Sequence, residues 1–161
     1  MTATNIFEWL SNQSWAQAIS GSMAFGILEC LHVVGMAMLF GSVAILDLRL
    51  LGFCGRDQSV RALAHATLRW TWLGFVLAMI TGFLLFAGAA DRYAQNRAFQ
   101  FKLAALALAG VNMALFHLSA WRRVSTWDVG VPTPPAAVIA GALSVLLWIC
   151  VVAAGRWIAF A

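Results

Sequence analysis

The sequence predicts an all-α integral membrane protein, a bundle of four membrane-spanning helices preceded by a short N-terminal interfacial helix. Three observations lead there. Of 161 residues, 63% are hydrophobic and only 10% charged, with a mean hydropathy of +0.86, whereas soluble domains carry about 25% charged residues. Four apolar stretches each reach the roughly 20 residues a helix needs to cross a bilayer. The connections between them are too short for a second domain, so residues 1–161 form one transmembrane domain.

Residues 5–20 set Ile6, Phe7, Trp9, Leu10, Trp15 and Ile19 among polar residues, with Asn5 and Glu8 at the spacing of a capping box. This predicts a short helix at the lipid–water interface, where a tryptophan ring can be half wet. The same pattern fits a helix folded over the mouth of the bundle. The segment lacks a basic n-region followed by a continuous apolar core, so it does not read as a cleavable signal peptide, and the first span is expected to direct targeting.

The four spans are predicted at about residues 23–46, 70–90, 101–121 and 134–157. Pro134 and Pro135 suit the first turn of the last helix, where a missing N–H costs least. Ala105 with Ala109, and Ala140 with Ser144, are small pairs at helix-packing spacing, available within the bundle or between copies in a homo-oligomer. Arg49, Arg56, Arg61, Arg69, Arg122 and Arg123 fall on one side of the spans, against Arg92, Arg97, Lys102 and Arg156 on the other. The positive-inside rule then puts both termini outside the cytoplasm. The basic residues form no long run, which argues against nucleic acid as a partner. Cys30, Cys54 and Cys150 are odd in number and lack CxxC spacing, giving neither a disulfide framework nor a zinc site. Trp70, Trp72, Trp121 and Trp127 read as an interfacial belt.

Against this background the ionisable residues stand out. His32 and His117 lie inside predicted spans, where such side chains are costly and tend to face the bundle interior. A neutral imidazole can ligate haem iron or copper without first losing a proton. It can equally serve only in packing. Glu29 stands three residues before His32 on the same helical face, placed to orient the imidazole or relay a proton. A lone Glu-x-x-His does not make a di-iron site, which needs two such motifs and two further glutamates. Met36 follows His32 by four residues and Met113 precedes His117 by four, so His32, Met36, Met113 and His117 form an alternative copper set.

From the predicted span starts, His32 and His117 differ in depth by roughly 10 Å. His65, just ahead of the second span, lies nearer the depth of His117, making those two the easier pair. Lys102 at the head of the third span, and Asp47 with Arg49 at the end of the first, read as interface anchors. Alternatively, Lys102 and Arg49 would recognise haem propionates or another anion.

The stretch LECLHVVGMAMLFGSVAILDLRLLG (28–52) resembles the first span of HemJ-type protoporphyrinogen oxidases and of CopD-type copper-resistance membrane domains, in its early His, following Gly and distal Arg-Leu. Residues 79–112, MITGFLLFAGAADRYAQNRAFQFKLAALALAGVN, resemble the CopD pattern of a Thr-Gly inside one span and a Lys-Leu opening the next. With Glu29 to His32 and Asp47 to Gly52, the chain looks like small four-span bacterial proteins of this HemJ/CopD-like superfamily. The resemblance implies a bacterial inner-membrane bundle and, in the HemJ-type branch, a b-type haem held by His32, with Lys102 at the matching place heading the third span. The expected function is that of a membrane-embedded haem b protein in electron transfer or redox chemistry at the quinone or porphyrin level, a candidate oxidoreductase whose partners are the bilayer and a quinone or redox protein. His32 is the first ligand candidate, then His117 and His65, with Lys102, Arg49 and Glu29 around the cofactor. The alternatives are a copper-binding or copper-transporting protein and an accessory subunit without cofactor.

Overall fold

The computed structural model describes residues 3–53 and 57–160, with side chains from residue 6 onward; Cys54, Arg56 and the side chain of Asn5 lie outside the described residues. Helices α1 (Ala3–Ser11), α2 (Ser14–Ser20), α3 (Met23–Leu51), α4 (Val60–Ala87), α5 (Ala90–Gln95), α6 (Arg97–Leu118) and α7 (Pro135–Trp157) follow one another, with a 3-10 helix at Trp121–Thr126 between the last two. No strand occurs among the described residues. α3, α4, α6 and α7 are each long and apolar enough to cross a membrane, so the chain is a multi-pass membrane protein.

The helix ends follow from local chemistry. Ser22, Ser59 and Asn96 accept the N–H groups of Ala24, Ala62 and Phe99 at the starts of α3, α4 and α6, satisfying donors that have no partner within the helix. α3 stops at Gly52, whose φ of 85° is the left-handed conformation that glycine adopts without penalty. α7 opens on proline. α4 begins ten residues before the predicted span at 70, because residues 60–69 are good helix formers that also carry Arg61, His65 and Arg69. Hydropathy marks where a helix meets lipid, and here the helix extends past that limit.

The predicted N-terminal helix is two helices, broken at Asn12 and Gln13, and Asn5 falls inside α1 rather than before it, as a capping box requires. α1 and α2 cover the ends of α4 and α5: Phe7 meets Phe86 edge-on at 6.0 Å, Ser11 Oγ accepts the Ala90 N–H at 3.0 Å, and Ser20 packs against Gly88. Ile6, Trp9 and Trp15 remain exposed on the outer surface of this cover. Both readings of the segment therefore describe one arrangement, a helix pair folded over the bundle with tryptophans outward.

α3 pairs with α4 and α6 with α7, and the two hairpins join where α3 crosses α7. The α3–α4 crossing is backbone on backbone at Gly35 and Gly74. A Cβ on Gly74 would lie 2.6 Å from the Leu39 nitrogen and one on Gly35 2.8 Å from the Ala78 nitrogen. Leu39, Ala105, Trp148 and Val151 fill the middle of the bundle, with Met36 against them. Leu50, Val60, Phe116, Val124, Trp127 and Ala137 close the end that carries the two interhelix loops, called here the loop face. The opposite end, with α1, α2, α5 and the end of α7, is the terminal face.

A polar clasp ties the loop face together. Arg49, fully buried, donates from Nε to the Gln58 carbonyl at 2.9 Å and from Nη2 to the Asp128 carbonyl at 3.2 Å. The Asp128 carboxylate accepts from Ser59 Oγ at 2.9 Å and from the Arg61 N–H at 3.0 Å. The Arg61 N–H, helped by Ser59, the Val60 N–H and the Arg61 charge, holds the Asp128 carboxyl below its ordinary 3.8, against a smaller effect of burial. A carboxyl lowered on folding stabilises the protein above its unfolded value, and that contribution disappears as pH falls through the folded value. Asp128→Asn should therefore cost stability at neutral pH, with the gap from wild type closing as the solution is acidified below 3.8. Thermal unfolding in detergent at a series of pH values checks this, and a gap independent of pH would refute it.

Candidate functional site

His32, on the terminal half of α3, turns its ring onto α4. Its Nδ1 lies 3.0 Å from the Ala78 carbonyl oxygen and 3.1 Å from Thr81 Oγ1. Thr81 is buried and bonds back to the Leu77 carbonyl at 2.6 Å, a common way for a helical threonine to satisfy its hydroxyl. With Thr81 Oγ1 committed as a donor to Leu77, both neighbours of His32 Nδ1 present acceptor oxygens. Nδ1 therefore carries the proton, and Nε2 keeps its lone pair. The ring fits because position 82 has no side chain: a Cβ there would stand 2.9 Å from His32 Cε1. Gly82→Ala should displace the imidazole and break its bond to Ala78 while leaving the helices intact, because the ring can rotate away. The nitrogen-15 resonances of His32 report this directly, and an unchanged Nδ1 signal would overturn the placement.

Lys102, in the second turn of α6, is half-buried. Its Nζ lies 3.5 Å from where a Gly155 Cβ would be, so the chain crosses α7 at a glycine. It is also near enough to His32 for the two to interact electrostatically. Glu29 is exposed at the terminal face. There it acts on Tyr93, whose phenol is pushed above its ordinary value by burial and then by the Glu29 charge, with Arg92 opposing. Tyr93 belongs to an aromatic group closing this end, in which Phe86 stacks on Phe99 at 5.3 Å and Tyr93 lies 5.8 Å from Phe99. His32, Lys102 and Glu29 thus occupy the terminal half of the bundle, bounded by Thr81, Gly82 and Gly155 and closed over by these rings.

The other candidates lie elsewhere. His117 is about 22 Å further along α6 than Lys102, and His65 about 24 Å from Thr81 along α4. Both are exposed, and His117 turns its Nδ1 to the Met113 carbonyl at 2.8 Å and its ring toward Trp121 at 5.6 Å. The depth difference between His32 and His117 is therefore greater than the span ends predict. His65 and His117 do share the loop half, but α4 and α6 pair with different helices, and the His117 ring turns to Trp121. The copper set is likewise dispersed: Met36 packs into the central core, whereas Met113 and His117 lie on the exposed side of α6. Among the described residues no group of three or more His, Cys, Asp or Glu converges as a metal cage.

Arg49 and Asp47 require correction. Neither anchors at the lipid interface, since Arg49 is fully buried and Asp47 only 5% exposed. Arg49 sits about 25 Å along α3 from His32 and gives its bonds to loop carbonyls, so it is not placed to grip an anion beside His32. The sequence did not single out Ala78, Gly155 or Tyr93. Thr81 and Gly82 were visible as the Thr-Gly pair of the second span, and Tyr93 as the chain's one tyrosine.

Residues 6–161 match the model of a family of unknown function, DUF6644. No curated protein and no solved structure matches the chain.

Proposed function

As a member of DUF6644, a family whose function is unknown, the chain must be read from its own site, and we propose that it is a membrane-embedded haem b protein in which His32 would hold the iron. One observation carries the reading. The Ala78 carbonyl takes the Nδ1 proton of His32, which leaves Nε2 as a ligand of fixed tautomer. A hydrogen bond from the distal ring nitrogen to a carbonyl is the usual support for a metal-binding histidine. The surroundings fit the same group: Gly82 gives the imidazole room, and the Lys102 ammonium nearby would take a propionate. Bound haem would supply one-electron transfer at its iron.

The chain's own residues do the rest. Ala78 and Thr81 hold the ring, Gly82 makes room for it, and Glu29 stands about one turn away at the terminal face. The redox partner in this proposal is a quinone, a porphyrin or a redox protein, in keeping with the HemJ-type and CopD-type resemblance. The excess of arginine on the loop face would place that face in the cytoplasm of a bacterial cell and both termini in the periplasm.

The test is a reduced-minus-oxidised visible spectrum with a pyridine haemochrome assay on detergent-purified protein. A b-type signal stoichiometric with the chain is expected, lost or strongly shifted in His32→Ala and retained in His65→Ala and His117→Ala. A colourless wild-type protein would overturn the proposal. Copper by elemental analysis would then favour the copper reading, and a copurifying partner an accessory subunit.

A further inference from the structure

Asp47 lies on the far side of the bundle from the His32 site and is independent of it. Its side chain is almost wholly buried, at 5% exposure, where α3 crosses α7. The Asp47 carbonyl is 3.4 Å from the point a Gly141 Cβ would occupy, and Leu50 closes the same contact one turn on. Ser144 of α7 is the polar neighbour of the carboxyl group, and Oδ2 has no hydrogen-bond partner. Ser144 is about 13 Å along α7 from its start at Pro135, and side chains on α3 lean back toward its N-terminus. Both relations take the carboxyl group inward from the loop face.

The charged and titratable groups on the surrounding helices are turned elsewhere. Arg49, two residues on, gives Nε and Nη2 to the Gln58 and Asp128 carbonyls. On α4, Arg61, His65 and Arg69 are exposed. On α6, His117 is exposed, and the neutral Asn112 donates to the Ala140 carbonyl at 2.9 Å. On α7, Cys150 lies more than a turn beyond Ser144 and Arg156 belongs to the terminal face. A hard metal cation takes six or more oxygen ligands, far more than Asp47 and Ser144 supply. A proton needs only the one open oxygen.

We propose that Asp47 is a proton-binding site within the membrane, taking up a proton at Oδ2 and releasing it again to water at the loop face. The step forms one O–H bond on a carboxylate and breaks one in hydronium, with no other reactant. An intramembrane acid is costly to keep as a charge without a partner, and this one stands on the seam between the two hairpins. Its change of charge therefore acts where α3 packs against Gly141 of α7.

Infrared difference spectroscopy on the whole chain in lipid vesicles, recorded through a pH titration, tests this. A protonated-carboxyl stretching band that rises and falls with pH is expected, lost in Asp47→Asn and kept in Asp91→Asn. Ser144→Ala should move the band in frequency, which keeps the test decisive if Asp47→Asn does not fold. A titrating band that persists in Asp47→Asn, or is unmoved in Ser144→Ala, would overturn the inference, as would the absence of any such band in the wild type.

Discussion

Alanine at position 74 should push α3 and α4 apart and destabilise the bundle by about 2 kcal/mol. The new methyl would meet the Leu39 nitrogen at 2.6 Å, the Gly35 carbonyl oxygen at 2.8 Å and Met38 Cβ at 3.0 Å. None of these atoms can be moved by rotating a side chain, so the helices themselves must separate. Within a bilayer that separation is expensive, because no hydrophobic force draws helices together and close backbone approach is what holds them. Gly110→Ala is the matched comparison: its Cβ would meet nothing within 4 Å, and alanine is the better helix former by about 0.5–1 kcal/mol. Thermal unfolding in detergent should therefore rank Gly110→Ala at or above wild type and Gly74→Ala well below it. Equal stability of the two variants would show that Gly74 is not a contact point. The same separation would carry Ala78 and Gly82 away from His32, so Gly74→Ala should also loosen the imidazole, which Gly110→Ala should not.

The fold was largely legible because lipid imposes a simple rule. Long apolar runs must be helices, and four were visible. What hydropathy could not place were the parts outside lipid: the first ten residues of α4, the short α5, the 3-10 helix after α6, and the break at Asn12 and Gln13. Those depend on turn chemistry and tertiary contacts rather than on apolar length. His32 announced itself as an ionisable group in an apolar helix, but its partners did not, since a backbone carbonyl and the missing side chain of Gly82 leave no mark in composition. Asp47 and Arg49 were misplaced for one reason. Charges near the end of an apolar run can snorkel to the headgroups or turn inward to polar atoms of neighbouring helices and loops, and the neighbours become known only once the chain is folded. His117 shows the converse: it lies within a span, yet its own helix supplies the Met113 carbonyl that satisfies Nδ1, so it can face outward.

Removing Arg49 should have the other large effect, about 3 kcal/mol lost in Arg49→Ala, from charge-assisted bonds broken and the Gln58 carbonyl losing its guanidinium donor, while the Asp128 carbonyl keeps only the Val60 N–H. The guanidinium reaches the Gln58 and Asp128 carbonyls from separate nitrogens. Arg49→Lys should therefore recover only part of the loss, since an ammonium lacks the planar fork that spans both. The damage should be local. Amide exchange ought to quicken at Val60 and Arg61, whose N–H groups bond to Asp128, while Ala78 and the His32 contact about 25 Å away along α3 stay protected. Arg49→Met separates two accounts of why the residue is there. A buried charge can sometimes be replaced by an apolar side chain without loss, because its desolvation cost cancels its bonds. If Arg49→Met is as stable as wild type, that cancellation holds here and the clasp contributes geometry rather than energy. If it falls with Arg49→Ala, the two carbonyls require the guanidinium, and the loop face depends on one side chain to join the end of α3 to the start of α4 and the loop before α7.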